Sequence, residues 1–211
     1  MLEANDLIEF EKEIADLYES GQIHAPVHLR DGNEQNLVDI FSELNISRED
    51  YVYSTWASHF HALLKDVPRD RIKQDILEGR SITLHYADYN FYSSAIVGGI
   101  SPIAAGTALA LKKQNKSNRV YCFLGDMAFR AGISHESVIY SISNSLPITY
   151  IIEDNGKSVG TPTEDSWGGS IETETLFKIY EDLSLNTDTN MLYYKYKMTY
   201  PHSGTGVFVE F

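Results

Sequence analysis

Apolar and polar residues recur along this chain on two periods, one helical and one extended. Residues 2–20 carry Leu7, Ile8, Ile14, Leu17 and Tyr18 at helical intervals among charges, which predicts an amphipathic surface helix closed by Gly21. Further helices are expected over 33–44 and over 68–79, the latter with Ile72, Ile76 and Leu77 turned inward. Between them, 51–53 reads as a short strand, with Ser54 or Thr55 capping the helix after it. Residues 81–99 are dense in aromatic and small side chains, which suits a pocket wall better than a regular element. Ser101-Pro102 opens the next helix, Ser as cap and Pro at the first position, and Lys112 and Lys113 suit its last turn. Past 162 the pattern predicts a loop at 164–169, a helix at 171–183, a strand at 193–198, a turn at 200–206 and a last strand at 207–211.

The most informative stretch is 120–162. Residues 120–124 are continuously apolar and end in Gly125-Asp126, the signature of a buried, parallel strand. Gly132 and Ser134 open a helix with His135, Val138, Ile139 and Ile142 at helical spacing, stopped by Asn144-Ser145 and Pro147. Residues 148–152 form a second apolar strand, followed by a loop Glu153-Asp154-Asn155-Gly156. This is one βαβ unit, and ligands of parallel sheets sit beyond the carboxyl ends of the strands. Asp126 and Asn155 both fall at such ends. Spacing leaves two readings open. In one, Asp126 caps a helix and Asn155 makes a turn. In the other, the Asp126 carboxylate, the Asn155 amide oxygen and the Lys157 backbone carbonyl hold a hard cation such as Mg²⁺, and the amides of Gly125, Met127 and Ala128 face phosphate oxygens.

Composition narrows the class. A chain of 211 residues with 43% hydrophobic side chains suits one globular domain with a single core. The formal net charge of −13 argues against nucleic acid as a partner, and no apolar run is long enough to span a membrane. An anionic cofactor is still compatible, because a bound metal dominates its local field. Cys122 is the only cysteine and lies inside the apolar strand, so no intrachain disulfide can form. With no leader pattern at the start, the expected location is the cytoplasm.

Gly125-Asp126, Gly132, Glu136, Leu146-Pro147 and Glu153-Asp154-Asn155 resemble the thiamine-diphosphate motif. The match is closest to the alpha subunit of the decarboxylating component of 2-oxo acid dehydrogenase complexes, the pyruvate dehydrogenase-like family. The resemblance covers 22–162. It implies an α/β fold, a parallel sheet with helices on both faces, with 1–211 a single diphosphate-binding domain of the thiamine-diphosphate-binding fold. It also implies that Asp126 and Asn155, with Lys157 as the further donor read above, hold the Mg²⁺ that clamps the cofactor's diphosphate. Two departures stand inside the motif: Met127 replaces its third Gly, and Asp154 replaces an Asn.

Elsewhere, 22–32 is similar to an early family stretch; Pro26 between His24 and His28 argues against a helical zinc pair. In 50–67, Trp56, Ala57, His59 and His61 fall at the family's Tyr, Arg and two His. That Arg helps neutralise the diphosphate in relatives, so another cation, or Mg²⁺ alone, must compensate for Ala57. His59 is the candidate for proton handling or substrate positioning; its own residue pattern equally admits a hydrogen-bonded histidine lining a groove. In 81–99, His85, Asn90, Phe91, Val97 and Gly98 match a loop that presents backbone groups to the aminopyrimidine. Val97 or Ile96 supplies the bulky aliphatic side chain that bends the cofactor. Glu136 is expected at a subunit contact, since the acid that activates the pyrimidine comes from another chain, and His202 is a weak candidate.

The resemblance implies a separate beta-type subunit, an α2β2 heterotetramer, and a small 2-oxo acid or ketose substrate. Three functions stay open: the alpha half of a 2-oxo acid decarboxylase/dehydrogenase that transfers the acyl unit, the diphosphate half of a split transketolase-like enzyme, and a non-catalytic scaffolding subunit. Met127 and Ala57 favour the third.

Overall fold

A computed structural model describes residues 2–199; the expected turn at 200–206, with His202, and the strand at 207–211 lie outside the described residues. In chain order the elements are α1 (Ala4–Glu19), α2 (Glu34–Glu43), β1 (Tyr51–Ser54), α3 (His59–Leu64), α4 (Arg69–Leu77), β2 (His85–Tyr86), β3 (Phe91–Ser93), α5 (Ile100–Lys113) and β4 (Val120–Gly125). They continue with α6 (Asp126–Phe129), α7 (Gly132–Ser143), β5 (Ile148–Asp154), β6 (Lys157–Ser158), β7 (Thr161–Pro162), α8 (Thr163–Trp167), α9 (Thr173–Ser184) and β8 (Asn190–Lys195). The packing gathers two compact units. The described residues of 1–49, 56–95 and 196–211 make the first, Asp50–Thr55 and Ile96–Lys195 the second. Among the described residues no helix is long and apolar enough to cross a membrane.

The first unit is helical. On α1 the buried stripe is Leu7, Phe10, Glu11, Ile14, Ala15 and Tyr18, so one carboxylate lies inside the apolar face. Its start is fixed by Asp6, whose carboxylate accepts the Glu3 amide at 2.7 Å, and its end by Gly21 at φ +72°. The core continues through Leu37, Phe60, Ile72 and Ile76, each fully buried. The helix expected to be capped by Ser54 or Thr55 begins only at His59, because β1 stays in its ladder through Tyr53↔Cys122 and residues 54 and 55 are buried. Residues 81–95 are more regular than expected. β2 and β3 pair antiparallel, His85↔Tyr92 and Tyr86↔Phe91, around Asn90 at φ +52°, a left-handed position that Asn tolerates.

The second unit is the predicted parallel sheet. Strands β1, β4, β5 and β8 pair in that order, all parallel. The continuous apolar runs of β4 and β5 are fully buried from 120 to 124 and from 148 to 152, as parallel strands covered on both faces require. Each connection carries a helix, α5, α7 and α9 in turn. Because the strand order advances one way and crossovers are right-handed, these three form a layer in which α5 packs on α7 and α7 on α9. β5 runs two residues further than expected. Glu153 and Asp154 stay in the ladder opposite Tyr194 and Lys195, and a tyrosine hydroxyl reaches each: Tyr194 donates to Glu153 Oε1 at 2.6 Å and Tyr193 to Asp154. The loop therefore starts at Asn155.

Local details of α5 also differ from the pattern. It starts at Ile100 after Gly99, so Ser101 is not the cap. Buried in the first turn, Ser101 bonds the Ser134 hydroxyl at 2.9 Å, and Ser134 donates to the Ala128 carbonyl at 2.7 Å. Lys112 spends its ammonium on the end of α7, donating to the Asn144 and Ser145 carbonyls at 2.7 and 3.0 Å. Gly98, just before α5, has φ +72°, and a Cβ there would lie 2.8 Å from Ile133 and 3.0 Å from the Ser134 hydroxyl. Gly98→Ala combines left-handed strain with a steric clash. It is expected to cost about 2–3 kcal/mol, read as a lower urea midpoint.

Candidate functional site

The ends of β4 and β5 adjoin, with Gly125 paired to Glu153. Asp126 follows at the tip of β4 and opens the single turn α6. Its side chain is 1% exposed. One carboxylate oxygen, Oδ2, accepts a short hydrogen bond from the Thr163 hydroxyl. The other, Oδ1, is buried with no hydrogen-bond partner. Burial pushes the carboxyl up to about 6 and the neighbouring Asp154 charge pushes the same way, while the Thr163 hydroxyl and the nearby Asp126 and Met127 backbone amides oppose both. A buried carboxylate oxygen without a donor is costly unless a cation meets it.

Thr163 reaches Asp126 through the loop after β5. β6 and β7 pair antiparallel, Lys157↔Pro162 and Ser158↔Thr161, turning on Val159 and Gly160. The Thr163 amide then donates to the Gly156 carbonyl at 2.9 Å, closing the hairpin below the sheet tip. Asn155 Oδ1 accepts the Lys157 amide at 3.0 Å, the side-chain turn that spacing had left open as one reading. Asp154 Oδ1 accepts the Gly156 amide at 2.9 Å. A cavity of about 430 Å³ in this unit is lined by Asp126, Arg130, Asp154, Thr163, Glu172 and Lys195 among others; Asn155 and Lys157 are not in its wall.

The residue that departs from the glycine motif fits the backbone. Met127 lies inside α6 and is not among the residues at positive φ, so it offers the same amide as glycine. Its sulfur accepts the Trp167 indole N–H at 3.0 Å. Ala128 is buried and Gly125 half-buried beside it. Gly98 is buried, whereas Ile96 and Val97 stand out, 73% and 44% exposed. The two remaining candidates belong to the first unit. His85 is exposed and meets Tyr92 edge-on, ring centroids 4.8 Å apart.

His59 is a correction. Nδ1 bonds Glu11 Oε2 at 2.8 Å and Nε2 bonds Ser81 Oγ at 2.9 Å, so both nitrogens are engaged. Serine, histidine and carboxylate in line match the connectivity of a hydrolytic triad, but all three are at most 1% exposed and no substrate can reach the hydroxyl. Glu11 also accepts the Arg30 amide at 2.9 Å. His59 is thus a buried clasp between α1, α3 and residue 81, not an open proton-handling group. The sequence reading missed Glu11, whose signal was a carboxylate on the apolar stripe of α1. It also missed Thr163 and Arg130 at the cavity.

The unsatisfied carboxylate lies at adjoining strand tips of a parallel α/β unit, the end of such sheets beyond which ligands sit. Family comparison makes the class specific. Residues 3–174 match the dehydrogenase E1 component family, a span wider than the 22–162 of the motif reading, and the chain belongs to that family. The alpha subunit of acetoin:2,6-dichlorophenolindophenol oxidoreductase from Bacillus subtilis (strain 168) is 30% identical over 165 residues, covering 74% of this chain and 49% of that one. The pyruvate dehydrogenase E1 component subunit alpha of Rickettsia bellii (strain RML369-C) is 30% identical over 164 residues, 72% of this chain and 49% of its own. That of Porphyra purpurea is 29% identical over 168 residues, covering 72% and 48%. The chain spans about half the length of these relatives.

Proposed function

We propose that this chain is the diphosphate-binding, alpha-type part of a thiamine-diphosphate and Mg²⁺-dependent enzyme that cleaves a carbon–carbon bond next to a carbonyl. The reaction class is 2-oxo acid decarboxylation with transfer of the acyl unit. The observation that carries this reading is the buried, unpartnered Oδ1 of Asp126 at the β4 tip, in a chain of the E1 family. The donor set suits Mg²⁺, which takes oxygen ligands and keeps places for phosphate and water. Asp126 would hold it, with the Asn155 amide oxygen and the Lys157 carbonyl as the other protein donors. The amides at Gly125, Met127 and Ala128 would face the diphosphate, and Ile96, Val97 and Gly98 the ring end. Once bound, thiamine diphosphate supplies the electron sink for bond cleavage. The protein's share is to hold phosphates and exclude water, and His59 contributes by keeping α1, α3 and residue 81 in register.

The partner is a beta-type subunit carrying the pyrimidine-binding domain, in an α2β2 assembly. Ile96, Val97, Ile103, Ile133, Ile139 and Tyr140 are all more than 40% exposed in the second unit, with Glu136 exposed among them on α7, which supports a covered face. Purified chain alone is expected to show no decarboxylation of pyruvate with a dye acceptor. Adding the beta-type chain, thiamine diphosphate and Mg²⁺ should restore it. Turnover by the chain alone would contradict the proposal, and a product formed only from a ketose phosphate would move the assignment to a transketolase-like reaction.

A further inference from the structure

Two positive side chains line the cavity beside Asp126. Lys195 is already committed, donating to Glu174 at 3.0 Å with Glu172 at 4.0 Å. Arg130 is different. Only 9% exposed, it forms no ion pair with a carboxylate among the described residues, and its guanidinium carbon lies 5.7 Å from the centroid of the Trp167 ring. Trp167 is in turn held by Met127, whose sulfur accepts its N–H. The same wall carries Asp126, Asp154, Glu164 and Glu172, so an anion entering here meets a surplus of negative charge unless cations offset it.

We propose that Arg130 is the cofactor-binding cation that meets the diphosphate in this chain, and that Trp167 and Met127 hold it against the cavity. This rests on the thiamine-diphosphate reading above. A planar guanidinium suits the role, because it offers paired N–H donors to phosphate oxygens and is always charged. Packing on the indole restrains it without consuming those donors, since the attraction is to the ring face. Met127, which stands where the motif has a glycine, thereby anchors the ring on which this cation rests.

The test is calorimetry on the full chain with its beta-type partner, in excess Mg²⁺, titrated with thiamine diphosphate and separately with thiamine. Arg130→Gln is expected to weaken thiamine diphosphate by roughly 10- to 100-fold and leave thiamine unchanged, with Arg130→Lys recovering part of the loss. Trp167 emission should shift on titrating the wild type and not Arg130→Gln. Unchanged affinity for thiamine diphosphate in Arg130→Gln, or equal losses for both ligands, would overturn the role of Arg130 and leave the cofactor assignment standing. A wild-type assembly that takes up no thiamine diphosphate would overturn both.

Discussion

Asp126→Asn in the full assembly is expected to abolish Mg²⁺-dependent uptake of thiamine diphosphate, weakening it by at least roughly 100-fold, and at the same time to raise the melting temperature of the metal-free protein. The two effects have one cause. Asp126 is buried, one oxygen is satisfied by Thr163 and the other has no well-formed hydrogen bond, and burial moves its carboxyl from an ordinary 3.8 to about 6. At neutral pH the folded, metal-free chain therefore carries an ionised group at a cost of roughly 3 kcal/mol. An amide keeps an acceptor for Thr163 and removes the charge, which for a chain of this size is worth about 2–4 °C per kcal/mol. The sign with pH follows from the raised value. The penalty is full above pH about 6 and fades as pH falls towards 3.8, so the wild-type and variant melting curves converge on acidification. Saturating Mg²⁺ with cofactor reverses the order, because only the wild type gains binding energy. Calorimetric titration and a melting series with and without Mg²⁺ read both halves. A variant that binds normally removes Asp126 from the site.

The parallel unit was legible because its cause is local. Two apolar runs that end in Gly-Asp and in Glu-Asp-Asn carry the strand, the tip and the following loop within a few residues of each other. What escaped depends on partners far along the chain. β5 includes Glu153 and Asp154 only because Tyr193 and Tyr194, about 40 positions later, bring hydroxyls to them. Thr163 reaches Asp126 because a hairpin turns at Val159, a β-branched residue at φ +55°, and no propensity favours that. Arg130 gives no signal of its own. It becomes visible only when Trp167 is seen beneath it and Lys195 is seen to be taken. Asn155 shows the limit of spacing: the strand tips adjoin as expected, yet its amide oxygen first serves its own turn. The family glycine at 127 was replaceable because the backbone there is helical, a fact that composition cannot carry.

His59→Ala is the second large effect expected, and it falls on stability. The imidazole joins the Glu11 carboxylate to the Ser81 hydroxyl, all three closed off from solvent. Truncation leaves Glu11 with only the Arg30 amide on its other oxygen, leaves the serine hydroxyl unpaired and opens a cavity beside Phe10, whose ring meets His59 edge-on at 6.2 Å. Leaving two buried polar groups short of a partner and opening a cavity beside them costs about 3–5 kcal/mol together, a large fraction of the stability of an ordinary domain. Glu11→Gln retains the acceptor geometry and is expected to cost less, about 1–2 kcal/mol. Urea midpoints measured for both should rank in that order, while the fraction of His59→Ala that remains folded at low temperature binds cofactor as the wild type does. The opposite pattern, unchanged midpoint with lost turnover, would return His59 to the chemistry. A side chain that needs a free nitrogen for its reaction cannot also be one whose two nitrogens hold three elements together, and the geometry at Glu11 and Ser81 selects the second role.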